Sequence, residues 1–192
     1  MQNNLKIPIN LRNKINKELQ PAEVIIWVQQ PIPRFFTGAS IISFLFGIPW
    51  TSFALFWTWG ALGFALPDLK QGPQPQHMFA LFGIPFVLIG VAMLFSPILL
   101  WQLAQHTVYL VTDQRAISIQ DAWVTTIRSY LPHQLQNIYR KERADGTGDV
   151  IITVRQWKDS DGNPIDEEIG FFGVPNPQDV ENILRQLSQK NV

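Results

Sequence analysis

The sequence predicts an α+β membrane protein. A transmembrane α-helical hairpin is followed by an antiparallel β-barrel or sandwich, capped by a C-terminal α-helix. Three observations predict it. Between Arg34 and Asp113 only Asp68 and Lys70 carry a charge, and both lie in the Pro/Gly-rich segment from Pro67 to Pro75. Beyond Gln105 the chain turns into short β-branched, alternating segments separated by Gly, Asp and Pro. After Asn176 an amphipathic helical repeat closes the chain.

The hairpin comes first. The apolar runs Phe35 to Leu66 and Met78 to Trp101 each exceed the roughly 20 residues that cross a bilayer as helix, and a helix satisfies its own backbone hydrogen bonds there. Helices on the surface of a soluble domain would carry charges on an outer face. As straight helix the first run, roughly 32 residues, would extend about 48 Å against a hydrocarbon core of about 30 Å. Tilt, projection or a kink at Pro49 must absorb the excess. Leu45-Phe46-Gly47-Ile48-Pro49-Trp50 is echoed by Leu81-Phe82-Gly83-Ile84-Pro85-Phe86. Repeated broken helices can surround a transport site, but neither run holds an ionisable side chain to serve one, so the echo reads as structural. Trp57, Trp59 and Trp101 suit interfacial anchors.

Charge sets the expected orientation. Up to Arg34 there are five basic residues and two acidic ones; from Gln102 onward there are nine basic and twelve acidic. Lysine and arginine next to the first span place that flank in the cytoplasm, and two crossings return the C-terminal part to the same side. Three parts follow: an N-terminal segment 1–33, the hairpin 34–102 and a β-rich domain 103–192. In the first, Leu11, Ile15 and Leu19 recur at helical spacing. Such a helix would either lie on the membrane with Lys6, Arg12, Lys14 and Lys17 near anionic lipid, or form a solvated, fraying terminus. Val24 to Trp27 looks extended, and Pro31 and Pro33 forbid helix into the first span.

In the β-rich part, Thr107–Thr112 and Arg115–Gln120 form a hairpin turned at Asp113-Gln114, and Thr125–Tyr130 is a third strand. Ile138–Arg143 and Val150–Arg155 flank the glycine turn Asp145–Asp149. A second turn at Asp159–Pro164 leads to the strand Glu167–Phe172. Asn176 as cap, Pro177 at the first helical position and Asp179 at the third start the closing helix, whose face is Val180, Ile183, Leu184 and Leu187.

Chemistry is sparse. The chain has no cysteine, which excludes disulfides and thiol catalysis. His77, His106 and His133 lack ligand spacing, and no phosphate loop, dinucleotide fingerprint or nucleophile elbow occurs. The acid run Asp166-Glu167-Glu168 has no partner of catalytic type nearby in sequence and reads as a solvated loop. No catalytic, metal or cofactor-binding residue is assigned, and no enzymatic activity, cofactor or nucleic-acid partner is expected.

Several segments resemble those of bacterial PH-domain (pleckstrin-homology-like) membrane proteins, in which a two-span hairpin precedes a PH-like domain. They are Gly83-Ile84-Pro85-Phe86-Val87-Leu88-Ile89-Gly90, the strand pair Thr107-Val108-Tyr109-Leu110-Val111-Thr112-Asp113-Gln114-Arg115-Ala116-Ile117, the turn Asp145-Gly146-Thr147-Gly148-Asp149-Val150, and Phe172-Gly173-Val174 leading to Pro177. Glu23-Val24-Ile25-Ile26-Trp27 with Gln30-Pro31 resembles the segment before that family's first span. The resemblance implies a bent antiparallel sheet plugged by a helix, with Asp113 in an unusual turn, Gly146 and Gly148 at positive φ, and Tyr109 in the core. It implies no chemistry.

Four function classes remain. The first is a binding or scaffold module that docks a membrane or cytoplasmic protein, or a second copy of the chain, at the cytoplasmic face of the bilayer. The second is headgroup capture, which needs a basic cluster; Arg140, Lys141 and Arg143 are interleaved with Glu142, and Arg115 stands alone in its hairpin, to pair with a carboxylate or meet headgroups. Arg115, Arg140, Lys141 and Arg143 are therefore the candidate partner or headgroup contacts. Transport and catalysis are the third and fourth.

Overall fold

The computed structural model describes residues 7–64, 75–158 and 160–190. Its elements run α1 (Ile9–Glu18), β1 (Ile25–Gln29), α2 (Gly38–Ala61), α3 (Pro75–Gln105), β2 (Thr107–Thr112), β3 (Ala116–Asp121), β4 (Thr125–Tyr130), a 3-10 turn (Pro132–Gln134), β5 (Tyr139–Glu142), β6 (Thr147–Lys158), β7 (Pro164–Pro175) and α4 (Pro177–Gln189). The chain divides into two units: Met1–Pro33 with Gln102–Val192, and Arg34–Trp101. The segment before the hairpin thus belongs with the strands after it, and the hairpin is spliced into the connection between β1 and β2.

In the first unit the strands form two antiparallel sheets, β1-β2-β3-β4 and β5-β6-β7. Among the described residues they do not close into one barrel; the arrangement is the sandwich alternative. The reason lies in β2, where all six residues are buried. Strand alternation sends Tyr109 and Val111 to one face and Val108 and Leu110 to the other. On the first face Tyr109, Val111 and Ala116 pack with Val150, Ile152, Phe171 and Val174 of the second sheet and with Val180, Leu184 and Leu187 of α4. On the other face Val108, Leu110, Ile117 and Ile119 pack with Leu11 and Ile15 of α1. The apolar stripe of α1 therefore covers a sheet, which corrects both the lipid-facing and the fraying-terminus readings of that helix. The extended run before the hairpin is likewise a true strand: Trp27 stacks on Phe171, their centroids 5.9 Å apart, and Tyr109 stacks on the same ring at 4.6 Å.

Several local expectations change. Asn176 adopts the left-handed conformation, φ 48°, and its side chain does not cap α4; its backbone carbonyl accepts from Asp179 N–H instead. Asp113 is not a positive-φ turn residue. Its carboxylate accepts from Val24 N–H at 2.9 Å and its own N–H donates to Val24 O at 3.0 Å, pinning β1 to the sheet. Gly146 does have positive φ, 77°. Gly148 is needed for a different reason: a Cβ there would meet Lys141 O at 2.3 Å.

In the second unit α2 begins at Gly38, where Thr37 and Ser40 form a reciprocal capping box. Its 24 residues extend about 36 Å, shorter than the apolar run predicts. Both α2 and α3 are long and apolar enough to cross a membrane. They touch through small residues: a Cβ on Gly83 would meet Thr58 Oγ1 at 2.1 Å, and one on Gly90 would meet Thr51 Oγ1 at 2.3 Å. Those hydroxyls are satisfied within their own helix, Thr51 by Gly47 O at 2.6 Å and Thr58 by Ala54 O at 2.7 Å. Two glycines seven residues apart thus face two threonines seven apart, and Gly47 lies against Met93 and Leu94. The Gly-Ile-Pro echo is accounted for by close helix packing. The charged hairpin tip, with Asp68 and Lys70, lies outside the described residues.

Candidate functional site

Several cations in the β-rich unit are held by carboxylates of the same chain. Arg115 Nε and Nη2 bind the two oxygens of Glu23 at 3.0 and 3.1 Å, and Nη2 also donates to Glu18 O at 2.8 Å. The Glu23 side chain is fully buried. Burial alone would raise its pKa, but hydrogen bonds from Arg115, Gln20 N–H and Thr112 override that and lower it from the usual 4.5 to about 2. This buried fork joins β3 to the end of α1 and the start of β1. Arg140 pairs with Glu181 at 2.5 Å and Lys141 with Glu168 at 2.5 Å. Arg143 pairs with Asp149 at 2.6 Å, whose other oxygen accepts from Gly173 N–H. Glu181 also binds Arg185 at 2.7 Å; burial would raise its carboxyl, and the two guanidiniums hold it low. Arg140 and Lys141 thus lie on β5 and Arg143 just after it, while Arg115 directly precedes β3, and each has its charge already matched. Of the basic residues before the hairpin, Lys14 pairs with Asp121, Arg12 donates to Ile7 O, Lys17 lies in the last turn of α1, and Lys6 lies outside the described residues.

A different place gathers cations that, among the described residues, carry no such pair. A cleft of about 700 Å³ opens between β4, the 3-10 turn and the β6–β7 sheet, and Arg128, Tyr130, His133, Gln134 and Arg155 line it. No Asp or Glu is among its lining residues. Burial raises the pKa of Tyr130, while the nearby charges of Arg128 and Arg155 pull it back. Glu167 stands opposite Arg155 across the β6–β7 ladder, outside the lining. Two guanidiniums, an imidazole and side-chain amides around a half-buried phenol are suited to receive a carboxylate or a phosphate.

The family model of the bacterial PH domain matches residues 35–188. The chain belongs to this family. No curated protein matches it, and no solved structure does. The matched stretch of this bacterial PH domain starts after β1 and α1, yet the structure shows both built into the domain's four-stranded sheet and its outer face.

Sequence reasoning singled out none of Arg128, His133 and Arg155. Arg128 and Arg155 lie on segments far apart in the chain that look like ordinary alternating strands, His133 on a short turn just after the first of them, and only the packing of one sheet over the other brings them together. Glu23 was equally hidden, because its partner is 92 residues away.

Proposed function

We propose that this bacterial PH domain is a membrane-anchored binding module, not an enzyme, and that it docks an acidic segment of a protein partner at the cytoplasmic face of the membrane. The hairpin helices would span the bilayer with both termini in the cytoplasm, as the lysine and arginine excess before Phe35 favours. One observation carries the reading: Arg128 and Arg155 share a roomy cleft without an acidic lining residue, in a unit where Arg115, Arg140, Arg143 and Arg185 are committed to carboxylates. The paired state of Arg140, Lys141 and Arg143 argues against headgroup capture on β5.

The test places a photo-crosslinking residue at Gln136, on the cleft, in the full chain in intact membranes. The expected result is a discrete protein adduct, identified by mass spectrometry, that is lost in Arg128→Gln/Arg155→Gln. Both sites are exposed, so the double variant should change the melting midpoint little. A lipid adduct in place of the protein one would move the reading to headgroup binding, and no arginine-dependent adduct would overturn it. For topology, single cysteines at Gln71 and Ser188 are exposed to an impermeant maleimide on intact cells. Labelling at 71 alone is expected; labelling at 188 alone would reverse the orientation.

A further inference from the structure

The register of the first sheet fixes which of its ends faces the hairpin connections. Gln29 is opposite Tyr109, Thr107 opposite Gln120, and Asp121 opposite Thr125. Gln29, Thr107, Gln120 and Thr125 therefore share one end. The chain leaves the sheet there through Gln30 and returns there through Gln105, and Gln30 Nε2 donates to Gln105 O at 2.9 Å. The β3–β4 turn lies at the same end, tied by Asp121 N–H to His106 O at 2.7 Å. Its tip is Ala122-Trp123-Val124. Trp123 has a relative exposure of 102%, and Val124 of 76%. The start of α1 joins them: Asn10 and Lys14 both bind Asp121, and neighbouring Ile9 is 75% exposed.

A fully exposed tryptophan and valine on a turn do nothing for the fold. Beside Lys14 they form an apolar tip with a basic neighbour, the composition that settles at a membrane interface, where an indole keeps its ring in the apolar boundary and its N–H wet. Chain length puts the interface within reach. His106 is five positions beyond Trp101, about 7.5 Å of helical rise, comparable with the headgroup layer of about 5–7 Å on each side of the hydrocarbon.

We propose that the Ala122–Val124 turn inserts into the headgroup layer of the same membrane that holds the hairpin, as a third attachment point for the domain. The proposal rests on the membrane-spanning reading of α2 and α3. Arg128 and Tyr130 lie three to five residues along β4 from Thr125, about 10–17 Å further from the tip, so the cleft is separate from the inserted turn.

The chain has no cysteine, so single labels can be placed at will. The full chain in phosphatidylcholine nanodiscs carries an environment-sensitive fluorophore on cysteine at Ala122, at Ile89 within α3, or at Gln136 on the cleft. Quenching by lipids spin-labelled near the headgroup is compared with quenching by lipids labelled deep in the acyl chain. The label at 122 should be quenched by the shallow lipid more than the deep one, the label at 89 by the deep one, and the label at 136 by neither. Adding Trp123→Asp should drop quenching at 122 to the level seen at 136. Quenching at 89 but not at 122, or quenching at 122 that survives Trp123→Asp, overturns the insertion and leaves the spans intact. No quenching at 89 would overturn the spans themselves, and the insertion with them.

Discussion

The two units solve the same packing problem in opposite ways. In the β-rich unit large apolar side chains point inward: Phe171, Leu110, Ile117, Ile151 and Leu184 are among the fully buried. In the hairpin the contact is made of glycine and threonine, and phenylalanine, leucine and isoleucine point outward. Water rewards burying apolar area. A lipid tail is as apolar as leucine, so two helices that cross a bilayer would gain from close backbone approach instead. Chemically similar residues thus take opposite positions in the two units.

That difference can be sharpened by experiment, beginning with the largest effect. Because β1 and α1 belong to the β-rich unit, residues 103–192 alone should fail to fold. A chain joining residues 1–33 to 102–192 through a short Gly/Ser linker should fold, since Gln30 already touches Gln105. Circular dichroism and thermal melts of the two proteins check this; a cooperative melt of 103–192 alone would remove β1 and α1 from the essential core.

Leu184→Ala comes next. Leu184 is fully buried between α4 and the sheets, and truncation should cost about 2–5 kcal/mol, read from denaturant melts of the joined protein. An unchanged midpoint would mean that α4 does not close the sandwich.

Glu23→Gln should cost about 3 kcal/mol, as it leaves the Arg115 guanidinium without its buried carboxylate. The pH dependence has a defined sign. The folded pKa of Glu23 is below its unfolded value, so its contribution is complete above about pH 4.5 and lost as pH falls toward 2. A shift from the usual 4.5 to about 2 corresponds to about 3 kcal/mol. Urea melts between pH 6 and pH 3 should show Glu23→Gln losing less stability on acidification than the unaltered chain; parallel curves would contradict the assigned pKa.

Gly90→Leu should have the smallest effect, about 1–3 kcal/mol from overpacking, and confined to the hairpin. Cysteine pairs across α2 and α3 should crosslink less efficiently while the melt of the β-rich unit stays fixed. A shifted melt of that unit would show that the two do not pack independently.

Much of the architecture was legible along the chain. The two long apolar helices followed from the scarcity of charge between Arg34 and Asp113, a pattern expected where ionised groups would be costly. The strands from Thr107 to Phe172 and the helix after Asn176 followed from period and turn residues, which act over a few neighbours. Tyr109 in the core and the positive φ of Gly146 were implied by the family resemblance, and both hold. Other features required the tertiary structure. Whether Leu11 and Ile15 faced lipid, water or a sheet depended on a surface formed by residues about a hundred positions away. The same holds for Glu23 beneath Arg115, for β1 completing a sheet across an inserted hairpin, and for Arg128 and Arg155 meeting over one cleft. Local pattern reports which face of an element is apolar. Only the long-range pairing of strands decides what covers that face, and which charges are left to meet a partner.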